Sequence, residues 1–128
     1  MQDTAIIVAG AIGAFTALIH SYLVRRKMSA TLGPVLADNS AYPVAIQRLV
    51  PLLLDFSCYN WFLGGVLLMS APFWLSGEGL VVAALAVGSS YAFAFIGNFW
   101  GTHGRHPGWV LYALASGLLL YGAWRPIS

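Results

Sequence analysis

An all-α integral membrane protein, folded as an antiparallel four-helix transmembrane bundle, is the fold class this sequence predicts, and three observations predict it. Of the 128 residues, 59% are hydrophobic and only 8% charged, against about 25% charged in a soluble domain. Four apolar stretches approach the roughly 20 residues that a helix needs to cross a hydrocarbon core. Five of the six Lys and Arg residues fall on one side of those stretches. So few polar side chains leave a water-facing surface uncovered, and lipid must cover part of it. The net charge of +2 is too small for a nucleic-acid-binding surface.

The first span is expected over residues 4–24, the second over 49–74, the third over 80–100 and the fourth over 109–124, as one domain of 128 residues. The turn Ser76-Gly77-Glu78-Gly79 separates spans two and three, and residues 101–108 separate spans three and four. Short connections make consecutive helices antiparallel neighbours in an up-down bundle. Arg25, Arg26, Lys27 and Arg48 lie in the first loop and Arg105 in the third, with Arg125 alone on the other side. The excess of positive charge places loops 25–48 and 101–108 in the cytoplasm. Both termini then face the periplasm of a bacterial inner membrane. Trp74, Trp100, Trp109 and Trp124 fall near span ends, where amphipathic rings favour the headgroup level. Met1-Gln2-Asp3 before the first span and Arg25-Arg26-Lys27 after it have the polarity of an uncleaved anchor.

The first loop, Met28 to Gln47, is the one sizeable extramembrane segment. Pro34 and Pro43 argue against a continuous helix through it. Its apolar residues, Tyr42 among them, suit a segment lying along the membrane or against a partner. Pro51 is expected in the first turn of span two, where a missing N–H costs little. Gly10/Ala14, Gly13/Ala17, Ala84/Gly88/Ala92, Gly97/Gly101 and Ala113/Gly117 put small residues four apart, which lets helices approach closely in lipid. Cys58, the single cysteine, reads as a small packing residue.

Ionisable side chains at membrane depth are costly, so each calls for a role. His20 and Asp55 are the two here. They lie five and seven residues from Arg25 and Arg48, which puts both roughly 8–10 Å inside the basic level. The leading expectation is a structural His20–Asp55 pair joining spans one and two. A proton relay or ligand site is the functional alternative. An Asp55 that reaches the interface or pairs with Arg48 is the third. Asn98, Tyr112, His103, Arg105 and His106 approach from the same side, and Asn60, Tyr91, Asn98, His103, Arg105 and His106 are the possible ligand or partner contacts. His103, Arg105 and His106 are expected chiefly to anchor headgroups.

Asn60, Ser57, Ser89, Ser90 and Tyr91 are expected to hydrogen-bond between helices. A quinone or pigment pocket lined by Tyr59, Trp61 and Tyr91 is the competing reading to aromatic packing. A bis-histidine haem requires matched histidines on two helices, and only His20 lies within a span. No cofactor and no metal is therefore predicted, with haem, quinone and pigment left open.

The stretch Gly97-Asn98-Phe99-Trp100-Gly101-Thr102-His103-Gly104-Arg105-His106-Pro107-Gly108-Trp109-Val110-Leu111, with Gly13 to His20 in span one, resembles a family of short four-span bacterial inner-membrane proteins of unknown function. The resemblance implies a four-helix inner-membrane fold and carries no activity or ligand. The small multidrug-resistance exporters have similar size but use an acid in the first span. Here span one has none, and Asp55 is in span two.

The leading functional expectation is a non-enzymatic accessory subunit that packs against other membrane-protein subunits and lipids and stabilises or assembles a larger complex, such as an energy-transducing one. The alternatives are an oligomeric proton-coupled transporter using Asp55 and His20, and a cofactor-binding membrane protein.

Overall fold

The computed structural model describes residues 1–38 and 43–124, and every described element is helical. Helix α1 runs Gln2–Leu23, α2 Ala30–Asp38, α3 Val44–Ser70, α4 Gly77–Gly101 and α5 Gly108–Ala123. Tyr42 and Arg125 lie outside the described residues.

Three of these helical segments are long and apolar enough to cross a membrane. At 1.5 Å per residue, α1, α3 and α4 measure about 33, 40 and 37 Å, against a hydrocarbon core of about 30 Å. Helix α5 is apolar but only 16 residues long, about 24 Å.

The first loop is more helical than its prolines suggest. One π-helical turn, Val24–Ser29, carries α1 directly into α2, which contains Pro34. Proline removes a single backbone donor, and where a helix is exposed water can satisfy the carbonyl left behind. Helix α2 ends at Asp38, and Pro43, whose ψ of 143° is extended, precedes the first turn of α3. Because α3 begins at Val44, Pro51 lies inside the helix rather than in its first turn. Between α3 and α4 the chain makes a short 3-10 turn, Ala71–Phe73. It then enters α4 through Gly77, whose φ of +54° suits glycine.

Packing follows side-chain size. The core is made largely of small residues: Ala5, Ala9, Ala14, Ala17, Ala71, Ala84, Ala94 and Ala115 are all buried. Tyr91, Tyr112, Ile6, Leu68 and Leu80 are the largest fully buried side chains. Phe15, Leu18, Leu52, Phe56, Leu63, Val82, Phe93, Ile96, Leu114 and Leu120 point outward. A soluble bundle has the opposite arrangement, with large apolar residues inside and polar ones outside.

Helix α1 packs along α3 on one side and α5 on the other, and α5 packs along α4. At the α1–α3 crossing, a Cβ added to Gly10 would lie 2.6 Å from the Gly65 carbonyl oxygen, and one added to Gly65 would lie 2.6 Å from that of Gly10. The helices therefore meet backbone to backbone. At the α1–α5 end, the Gln2 side-chain amide donates to the Trp124 carbonyl, so the beginning of α1 and the end of α5 share one end of the bundle. The fourth side differs from the expected pattern. Helices α3 and α4 are consecutive, yet they touch over only part of their length. They meet where Gly64 faces Val87 and where the Tyr91 hydroxyl donates to the Trp61 carbonyl at 3.4 Å. Toward the end that carries Arg25–Lys27 and Arg105, here termed the basic end, a cleft separates them.

Candidate functional site

The cleft holds about 600 Å³ and is lined by α1, the π-turn, α3, α4 and the α4–α5 loop, within the roughly 300–1,000 Å³ of small-molecule sites. Helix α1 and the π-turn supply His20, Leu23, Val24, Lys27 and Met28, and α3 supplies Leu54 and Trp61. Helix α4 supplies Phe93, Ala94, Gly97, Asn98 and Gly101, and the α4–α5 loop supplies Thr102, His106 and Pro107. Most of this surface is apolar, with His20, Lys27, Asn98, Thr102 and His106 as its polar groups.

The α4–α5 loop is what brings His106 to His20. After Gly101 the chain turns back through His103 and Gly104, with φ of 51° and 74°. The Gly104 N–H donates to the Phe99 carbonyl at 2.8 Å, and the His103 N–H to the Trp100 carbonyl at 3.3 Å. This pair of bonds is a Schellman termination, with histidine at the left-handed position that glycine usually holds. The Trp109 indole N–H donates to the Gly104 carbonyl at 3.0 Å and closes the turn. The Thr102 hydroxyl donates to the Asn98 carbonyl at 2.6 Å and accepts the His106 N–H at 3.3 Å. Finally the Gly108 N–H donates to His106 Nδ1 at 3.0 Å. With Nδ1 accepting, neutral His106 carries its proton on Nε2.

His20 stands edge-on to His106, with ring centroids 6.0 Å apart and planes at 85°. The series continues inward: His20 to Trp61 at 5.4 Å, Trp61 to Tyr112 at 5.2 Å, and Tyr112 to Tyr91 at 5.3 Å. Five rings from four helices and one loop thus run from the bundle centre to the cleft. The Tyr112 hydroxyl is buried with no hydrogen-bond partner among the described residues. Among those residues no hydrogen bond reaches the His20 ring either.

The expected His20–Asp55 pair is not made. Arg25 Nε lies 3.3 Å from Asp55 Oδ1, so Asp55 joins the π-turn to α3, while His20 turns to Trp61 and His106. Arg25, in the π-turn that follows α1 without a break, reaches the carboxylate that Arg48 was expected to hold. The pair is exposed, with side-chain accessibilities of 70% and 40%, and contributes little to stability.

Of the sequence-derived candidates, His20, Asn98 and His106 come together in the cleft. Asn98 also donates from Nδ2 to the Ala94 carbonyl at 2.8 Å, which leaves its amide oxygen unused. Tyr91 is in the core, and His103 and Arg105 are exposed on the loop. Asn60 and Tyr59 face outward on α3, so the pocket of Tyr59, Trp61 and Tyr91 does not form. Cys58 is buried. Among the described residues, no three His, Cys, Asp or Glu side chains converge on a metal position.

Sequence reasoning missed Lys27, Thr102, Gly97 and Gly101. The glycine spacing was visible but read as helix packing. A Cβ at either glycine meets nothing within 4 Å, so the pair forms an open wall instead. No family model, curated protein or solved structure matches the chain.

Proposed function

We propose that this is a four-span protein of the bacterial inner membrane that binds a membrane-dissolved amphipathic molecule in the cleft between α3 and α4. Both termini face the periplasm, and the basic end is cytoplasmic. The outward apolar faces of α1, α3, α4 and the shorter α5 support membrane insertion, as do the exposed rings of Trp74, Trp100 and Trp124 near helix ends. Tryptophans at both ends of α5 suit a short helix that the bilayer meets by local thinning. The observation that carries the binding function is a cavity of about 600 Å³ with two adjacent imidazoles, opening where two helices part. Purification from the native membrane in mild detergent, followed by mass spectrometry of the organic extract, tests it. One small molecule retained in stoichiometric amount, and lost on His20→Ala, is the expected result. Extracts indistinguishable between the two proteins count against it.

A second reading, the accessory subunit, is favoured by Asn60. Its amide is exposed midway along α3 on an otherwise apolar face and makes no hydrogen bond within the described chain. At membrane depth an amide seeks a partner, and one on a neighbouring helix satisfies it. Co-purification of a second membrane protein that is lost on Asn60→Leu supports this role. A chain recovered only as a monomer from native membranes argues against it.

A further inference from the structure

We propose that the cleft recognises a quinone: a planar ring with carbonyl oxygens whose isoprenoid tail leaves between α3 and α4. This rests on the ligand-binding reading above and names its ligand class.

Three features select that chemistry. First, the cleft presents hydrogen-bond donors. His106 offers Nε2–H, since its Nδ1 already accepts the Gly108 N–H. His20 stands 6.0 Å away, centroid to centroid, with no hydrogen bond from the described protein. Two imidazoles at that separation suit one carbonyl oxygen between them, or two acceptors on one small ring. Second, the cleft accommodates a flat body. Gly97 and Gly101 lie one turn apart on α4 with open space where their side chains would be, and Trp61 lines the same cleft. A planar ring makes close contact with bare backbone over a whole face, and an indole in the same cleft offers a second aromatic surface. A flexible acyl chain gains nothing from that shape. Third, Phe93 lines the cleft and is also exposed on the apolar outer face of α4. A hydrocarbon tail therefore stays in lipid while the head is held. Lys27 also lines the cleft, which makes an anionic amphiphile the competing occupant.

Decyl-benzoquinone, titrated into the detergent-solubilised full chain with tryptophan fluorescence as readout, tests this, and lauric acid serves as the anionic comparison. Saturable quenching is expected, with affinity about tenfold weaker in His106→Ala, the equivalent of one hydrogen bond. His106→Gln restores most of that loss, because it retains an N–H. Asp55→Asn binds like the parent, since Asp55 is outside the cleft. Gly97→Leu fills the slot at a position where a side chain meets no atom, so it abolishes binding while the melting temperature holds. That variant keeps the test decisive if the histidine variants fail to fold. Displacement by lauric acid at equal concentration, with the same histidine dependence, overturns the quinone assignment but leaves the ligand cleft standing. Unsaturable quenching, unaffected by Gly97→Leu and with no lauric acid binding, overturns both.

Discussion

Gly13 and Gly97 are both glycines on apolar helices, yet their surroundings give them opposite roles. A Cβ on Gly13 collides with the hydroxyl and ring of Tyr91, and Tyr91 is fully buried and tied to the Trp61 carbonyl. The ring has no room to yield, so Gly13→Ala is expected to cost about 1–3 kcal/mol. Gly97→Ala meets no atom and is expected to be neutral or to stabilise by about 0.5–1 kcal/mol through helix propensity. Melting temperatures in one detergent compare them. His103 sits at φ 51° in an exposed turn, a conformation costing about 1 kcal/mol for a residue with a Cβ. His103→Gly should raise the melting temperature without altering ligand retention. A fall in stability would mean that the imidazole holds the loop. These residue-level roles were only partly legible: the glycine spacing was evident in the chain, but which glycines face a neighbour depends on helix rotation.

Among the elements, α1 is the one the others are built around, since it packs on α3 and α5 and reaches Tyr91 of α4 through Gly13. The contact of Gly10 with Gly65 lets two backbones touch, and neither can move aside as a side chain can. Gly10→Ala and Gly65→Ala should each cost about 1–3 kcal/mol. The double variant should cost less than their sum, because the first methyl already separates the helices. Strict additivity in a double-mutant cycle would rule out this crossing. Helix existence and order followed from hydropathy, with ends displaced by a few residues. The exceptions have physical causes. Pro34 was read as a breaker, but a helix whose backbone reaches water tolerates one lost donor. The start of α3 at Val44 was missed because Arg48 and Gln47 end the apolar run before the helix ends.

For the whole molecule, the distribution of charge predicts which end faces which compartment. In intact cells a membrane-impermeant maleimide should label Glu78→Cys, in the turn before α4. Arg105→Cys, in the basic loop, should react only after the membrane is opened. The reverse pattern would invert the proposed topology. Native Cys58 is buried, so its background labelling should be low.

The sequence by itself determined the helical class, the approximate position of four apolar stretches and the asymmetry of charge. Each of these depends on the order and hydropathy of residues along the chain, and a helix converts that order into height in a fixed way. The tertiary structure alone decided which residues of equal height meet. Asp55 and His20 were expected at one level, yet Asp55 pairs with Arg25, and His20 stands against Trp61 and His106. That choice depends on the rotation of each helix about its axis and on the Schellman turn that folds the α4–α5 loop over α1. It also depends on small residues that draw three sides of the bundle together while the fourth opens at the basic end. None of these is set by local composition, and together they turn a lone membrane histidine into one wall of a cleft.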